Sequence, residues 1–310
     1  MMLKFKKKYF NFWSAKKFIE MTKKSPISNQ SLQIPKPILF TAKLLEAISP
    51  KLVTLFAAKL FTTPIKHKIP KRELHMDQNS QQSKLLVPGL KKAITIYKYG
   101  QGEKKVLLVH GWSGRGTQLV KIADELVKLG YQIVSFDAPA HGKSEGKTTI
   151  MTEFIASILE IEKQLGPFEF AIGHSLGGMS ILNAVKQGFK IKKAVTIGSG
   201  DIIQDILDDF VNKLKLNPKI SGRLKQHFEK KFGESMENYS AHVAAQVVKI
   251  PVLVIHDQND HDVAVKAAYN INKHLENSEL MITEHLGHRK ILGNELVINR
   301  INEYLKAYDF

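Results

Sequence analysis

Residues 170–180 read "FAIGHSLGGMS". An apolar run ends here in Gly173, His174, Ser175, Leu176 and Gly177, and apolar residues then recur at helical spacing. A serine between glycines at a strand-to-helix junction is the pattern of a nucleophile raised on a tight turn, where only small neighbours leave room for the backbone. The bland alternative is a small residue filling a glycine-rich loop. Background frequencies near 7% for Gly and Ser give about 0.1 chance matches to Gly-x-Ser-x-Gly in a chain of this length. The pattern therefore needs support from the surrounding chain.

Working outward, that support is regular. Strand-like runs "AITIYKY" (93–99), "VLLVHG" (106–111), "YQIVSFDAP" (131–139), "FEFAIG" (168–173) and "KKAVTIGSG" (192–200) alternate with helical runs at 117–130, 152–166 and 178–188. The alternation resumes with strands "IPVLVIH" (250–256) and "ELMITEH" (279–285) and helices at 263–275 and 294–308. Short apolar strands separated by amphipathic helices specify an α/β architecture with a doubly wound, mostly parallel sheet. Residues 201–248 break the rhythm with helical periodicity and no strand, so they read as a helical insertion placed as a cap over the strand ends. The expected organisation is a catalytic domain at 84–200 and 249–310, the cap at 201–248, and an N-terminal helical extension at 1–83 that ends in a polar linker, "HMDQNSQQS" (75–83).

Composition narrows the function classes. The 310-residue chain has no cysteine, which excludes a disulfide framework, thiolate metal ligation and a cysteine nucleophile, and which fits a reducing cytoplasm. Its formal net charge of +17 invites a nucleic-acid reading, but the charge is lopsided. Residues 1–72 hold 16 Lys/Arg against Glu20 and Glu46, and the rest is nearly neutral. No nucleic-acid-binding module accompanies the charge, so no nucleic-acid partner is expected. Lys6–Lys8 resemble the start of a signal peptide, yet no long apolar stretch follows, and secretion is not expected. In "ILFTAKLLEAISPKLVTLFAAKLF" (38–61), four charges and Pro50 interrupt the apolar residues, giving two short amphipathic helices and no transmembrane span. Packing on the body is their favoured use. Peripheral contact with an anionic membrane through the basic N terminus is the alternative.

A serine hydroxyl is a weak nucleophile unless a base takes its proton and a third group orients that base. Active sites of open parallel sheets lie at the carboxyl ends of strands. The loop after "VLVIH" carries Asp257, Asp260 and Asp262, and the one after "ELMITEH" carries His288, with His285 closing the strand. The chain order Ser, Asp, His is the one this architecture requires. His110 and His174 read as loop supports, Asp137 and His141 as loop-shaping residues, and the ligand spacing of a metal site is missing from "HDQNDHD".

With "LLVHGW", "FDAPAHGKS", "GHSLGG", "VIHDQNDHDV" and "LGHRKI" in place, residues from about 90 to 310 resemble the α/β-hydrolase fold superfamily, in particular uncharacterised bacterial esterase or lipase-like hydrolases. The resemblance implies a catalytic triad of Ser175, Asp260 and His288, with Asp257 as the rival acid because it stands where the family usually has glycine. It further implies an oxyanion hole from the backbone N–H groups of Trp112 and Leu176. The expected protein is a cytoplasmic serine hydrolase acting on a small-molecule acyl ester, with no metal and no organic cofactor. An acyltransferase or thioesterase using the same triad, or a non-catalytic membrane-peripheral binding protein, are the alternatives.

Overall fold

The apolar runs of the sequence become the strands of a single sheet in a computed structural model of the chain, which describes residues 34–306. The basic segment before Ile34, including Lys6–Lys8, lies outside the described residues. The strands are β1 (Gln81–Val87), β2 (Lys92–Tyr99), β3 (Lys105–Val109), β4 (Gln132–Asp137), β5 (Phe170–His174), β6 (Lys193–Ile197), β7 (Val252–Asp257) and β8 (Ser278–Thr283). Their order is β1-β2-β4-β3-β5-β6-β7-β8. β1 and β2 pair antiparallel, β2 pairs antiparallel with β4, and every other pairing is parallel.

The helices are α1 (Lys36–Ile48), α2 (Pro50–Phe61), α3 (Leu74–Asn79), α4 (Val120–Lys128), α5 (Met151–Leu165), α6 (Leu176–Lys186), α7 (Ile203–Lys213), α8 (Lys219–Phe232), α9 (Ala241–Ala245), α10 (Lys266–His274), α11 (Gly287–Lys290) and α12 (Glu295–Lys306). Parallel strands need crossovers, and the helices supply them on both faces, so the inner strands are apolar on both sides. Alternate residues accordingly go to different cores. Leu107, Val109, Val252 and Val254 join the core beneath α5 and α6, while Val106, Leu108, Leu253 and Ile255 join the one beneath α4 and α12.

The expected linker at 75–83 is instead structured: α3 occupies most of it, and β1 begins at Gln81. Met76 is fully buried and anchors α3. β1 is an edge strand whose first four residues are exposed, with only Leu85 and Val87 buried. Its backbone ladder with β2 stabilises it without apolar alternation, which is why the polar composition conceals a strand.

The break foreseen at Pro50 holds. Ser49 is extended, its hydroxyl accepts the Lys51 N–H at 3.2 Å, and Pro50 opens α2 where its missing N–H costs nothing. Ala42, Val53, Ala57 and Ala58 are buried in the α5–α6 core, and Phe61 packs edge-on against Phe210 at 5.1 Å between ring centroids. The segment after α2 is tied to the loop following β3. The Ile65 N–H donates to Ser113 Oγ at 3.0 Å, and the buried Arg115 guanidinium donates to the His67 and Lys68 carbonyls and lies 3.8 Å from Glu73. The N-terminal helices are thus an integral part of the packed body.

Candidate active site

β5 leaves the sheet beside β3, where strand order reverses, and this is where a crevice opens at the carboxyl ends. β5 ends at His174 and α6 starts at Leu176, leaving Ser175 alone to turn the chain with φ 54° and ψ −120°. A non-glycine residue at positive φ costs of order 1–3 kcal/mol and needs its surroundings to impose it. Here they do. The Ser175 N–H donates to the Ile197 carbonyl at 2.9 Å, and the Ser175 carbonyl accepts the Gly178 N–H at 3.0 Å. Gly173 and Gly177 are obligatory for steric reasons: a Cβ on Gly173 would stand 2.5 Å from the Gly177 backbone, and one on Gly177 would stand 2.3 Å from the Val109 carbonyl oxygen. The glycines of the motif let the turn fold back against β3.

Asp260 and His288 meet in the neighbouring loops. His288 Nδ1 lies 2.7 Å from Asp260 Oδ2, and Asp260 is almost fully buried. The other carboxylate oxygen accepts the N–H groups of Asp262 and Val263 at 2.8 and 2.9 Å. Burial pushes the Asp260 pKa up, but the bond and charge of His288 with the two N–H groups outweigh it, and the carboxyl stays below its ordinary value. A carboxylate on Nδ1 leaves Nε2 as the free proton-accepting nitrogen of a neutral imidazole. Gly198, at the end of β6, makes room for the pair, since a Cβ there would be 3.3 Å from His288 Nδ1 and 3.5 Å from Asp260 Oδ2.

Asp257, the rival acid, is spent on architecture. Its oxygens accept the N–H groups of Asn259, Leu286 and Gly287 and the hydroxyl of Thr283, all within 3.0 Å. It ties the loop after β7 to the loop after β8 and so sets the spacing of Asp260 and His288. His285 is exposed and takes no part in the cavity.

Two histidines stand behind the pair. His174 Nε2–H donates to the His288 carbonyl at 2.8 Å with ring centroids 4.6 Å apart, so the residue before the serine holds the backbone of the histidine. Burial and the nearby His288 hold the His174 pKa well below its usual value, which keeps it neutral. His256, the first residue of "HDQNDHD", enters the sequence reading only as part of a metal site and has no place in the triad. Its Nε2–H donates to the Val263 carbonyl at 2.9 Å and lies 3.5 Å from Asp260 Oδ2. Its position inside the apolar run "VLVIH" offered no signal.

The loop after β3 approaches Ser175 from the other side. A Cβ on Gly111 would come within 3.0 Å of Ser175 Cβ, so Trp112 follows at close range. Leu176 is the first residue of α6, where N–H groups have no intrahelical acceptor. The loop is built on buried polar contacts. His110 Nε2 accepts the Ala138 N–H, His141 Nε2 accepts the Ser113 N–H, and Asp137 accepts from Tyr97, Gly116 and Lys143. Burial lowers the pKa of His110 to about 4 and that of His141 to about 3, so both act as neutral acceptors.

Ser175, Leu176, Trp112, Asp260 and His288 all line one cavity of about 1650 Å³. Helices α1, α2 and α7 contribute Ile38, Phe61 and Phe210 to its apolar wall. Among the described residues, no three His, Asp or Glu side chains come together as they would to hold a metal ion.

Comparison with known proteins agrees with this fold. Residues 104–214 match the family described as alpha/beta hydrolase fold, and residues 234–308 match the one described as TAP-like protein. A 2-hydroxy-6-oxononadienedioate/2-hydroxy-6-oxononatrienedioate hydrolase of Escherichia coli O81 (strain ED1a) is 25% identical, over 64% of this chain and 88% of that protein. An esterase of Pyrococcus furiosus superposes with a TM-score of 0.61 at 19% identity, over 79% of this chain and 97% of its own. An esterase of Exiguobacterium antarcticum gives 0.57 at 17% identity, over 73% of this chain and 100% of its own.

Proposed function

The chain belongs to the α/β-hydrolase superfamily, and from that premise we propose that it is a serine hydrolase cleaving an ester or related acyl bond through Ser175, His288 and Asp260. The observation that carries this reading is the 2.7 Å contact of His288 Nδ1 with Asp260, in the same cavity as a serine held at positive φ.

Each group has one task. Ser175 Oγ attacks the acyl carbonyl while His288 Nε2 removes its proton, and Asp260 stabilises the imidazolium that forms. The backbone N–H groups of Trp112 and Leu176 receive the negative charge on the carbonyl oxygen; one such donor is worth about 3–4 kcal/mol. Collapse of the intermediate expels the alcohol, which takes the proton from His288, and leaves Ser175 acylated. Water then gives its proton to the same histidine and attacks the acyl group, and the acyl–Oγ bond breaks as Ser175 Oγ takes that proton back, releasing the acid. The helices of residues 201–248 serve as a cap that excludes bulk water and selects the acyl group.

The cavity wall favours a neutral, apolar acyl group over a dicarboxylate of the kind named for the Escherichia coli relative. It carries eight carboxylates against six Lys/Arg. Four of those cations are within 4 Å of wall acids: Arg72 and Arg115 meet Glu73, Lys213 meets Asp209, and Lys266 meets Asp205. A second anionic group on the substrate would meet net negative charge.

The test is steady-state hydrolysis of p-nitrophenyl esters of graded chain length, with intact-mass detection of the acylated protein. Wild type should turn over and gain one acyl mass, and Ser175→Ala should lose at least about a thousandfold in kcat and gain none. Equal turnover by Ser175→Ala would sink the proposal.

A further inference from the structure

We propose that the outer face of the α1–α2 hairpin is a docking surface for an anionic lipid bilayer. Twelve large apolar side chains are exposed among the described residues, and five of them, Phe40, Leu44, Ile48, Leu52 and Leu55, fall within this one hairpin. Phe40, Leu44 and Ile48 are spaced four apart, which places them on one stripe of α1, and Phe40 is 71% and Ile48 63% exposed. The opposite face is spoken for, because Ala42, Val53, Ala57 and Ala58 are buried in the core. Isolated exposed leucines are ordinary, but a contiguous stripe on an amphipathic pair marks a surface that leaves water on contact with something else.

Charge selects the occupant. Lys36, Lys43, Lys51 and Lys59 are exposed around the stripe. The only acid in the hairpin, Glu46, is already engaged by Lys43 at 2.9 Å and by the Asn217 N–H at 2.5 Å. The 35 residues before the hairpin add eight lysines and one glutamate. Apolar side chains ringed by lysines match a bilayer whose interior takes the apolar groups and whose anionic headgroups take the ammonium groups. No described helix is long and apolar enough to cross a membrane.

The hairpin also shapes the cavity at its other end, where Ile38, Leu60 and Phe61 form part of the wall. Docking would therefore set the cavity beside the bilayer, so that acyl chains dissolved in the lipid reach Ser175. That consequence, unlike the docking itself, rests on the hydrolase reading.

The test is co-sedimentation of the full chain with phosphatidylcholine vesicles made with or without phosphatidylglycerol. Wild type and Ser175→Ala should bind the anionic vesicles equally, less at high salt, and bind the neutral ones weakly. The variant Phe40→Ser/Leu44→Ser/Ile48→Ser should bind at least about tenfold more weakly, and Lys51→Glu/Lys59→Glu should lose the preference for phosphatidylglycerol. Both variants should keep wild-type circular dichroism and activity on a soluble short-chain ester. Absence of wild-type binding, or undiminished binding by Phe40→Ser/Leu44→Ser/Ile48→Ser, would overturn the proposal. So would a wild-type dimer that this triple variant converts to monomer, since a second copy would then cover the face. Inactivity of wild type on every ester, with vesicle binding intact, would count against the hydrolase reading alone.

Discussion

Asp257 and Asp260 are both buried and three residues apart, yet their oxygens are committed differently. Asp260 keeps Oδ2 for His288, whereas Asp257 has both oxygens filled by backbone N–H groups and a threonine hydroxyl. Asp260→Asn should therefore lower kcat by about ten-thousandfold with little change in the unfolding midpoint, the loss expected when the histidine is left in the wrong tautomer. Asp257→Asn should do the reverse, lowering stability by about 2 kcal/mol while most of kcat is retained. A rate assay ranking Asp257→Asn as the worse variant would move the acid to Asp257. Ser175, Asp260 and His288 could be singled out because they lie in the turn or loop after a strand, at the end where chemistry sits. The split between the two aspartates was not, since spacing along the chain does not reveal which oxygens the backbone consumes. His256 was hidden for a related reason: in an apolar strand its role depends on a carbonyl seven residues later.

Among the elements, the turn from β5 into α6 depends most narrowly on particular residues. Gly177→Ala would drive a methyl group into the Val109 carbonyl, a backbone atom that cannot swing aside. The expected result is a loss of about 1–3 kcal/mol in urea unfolding together with most of the activity, because β3 carries the Trp112 loop. Wild-type stability and rate in that variant would show that the close approach is not needed. Strands β3 to β7 could be read from apolar runs, since buried parallel strands must be apolar on both faces, and β2 and β8 from the runs "AITIYKY" and "ELMITEH". β1 could not, because an edge strand held by its ladder tolerates "QQSK" on the solvent side. Similarly, the helices of residues 201–248 were visible as periodicity, whereas their packing against Phe61 of α2 joins elements far apart in sequence.

At the scale of the whole molecule, the N-terminal hairpin and the loop after β3 are one packed unit. Deletion through Phe61 should give insoluble protein, because it strips Ala42, Val53 and Ala57 from the core and uncovers their partners; a soluble, active product would contradict this packing. Stability should also fall in mild acid. Unfolded histidine takes up a proton near pH 6.5, whereas burial holds folded His110 near 4 and His141 near 3. Between those values the unfolded chain binds more protons, so the urea midpoint should drop as pH falls from about 6.5 towards 4, and a flat midpoint would mean these imidazoles are not buried neutral. All of these parts bear on one proposed property, an activated serine. It is tested most directly by treating the folded wild type and Ser175→Ala with a fluorophosphonate probe and mapping the modified peptide. Labelling of wild type alone, at Ser175, is the expected result, whereas an unlabelled wild type, or a Ser175→Ala protein labelled as strongly, would contradict the assignment of Ser175 as the nucleophile.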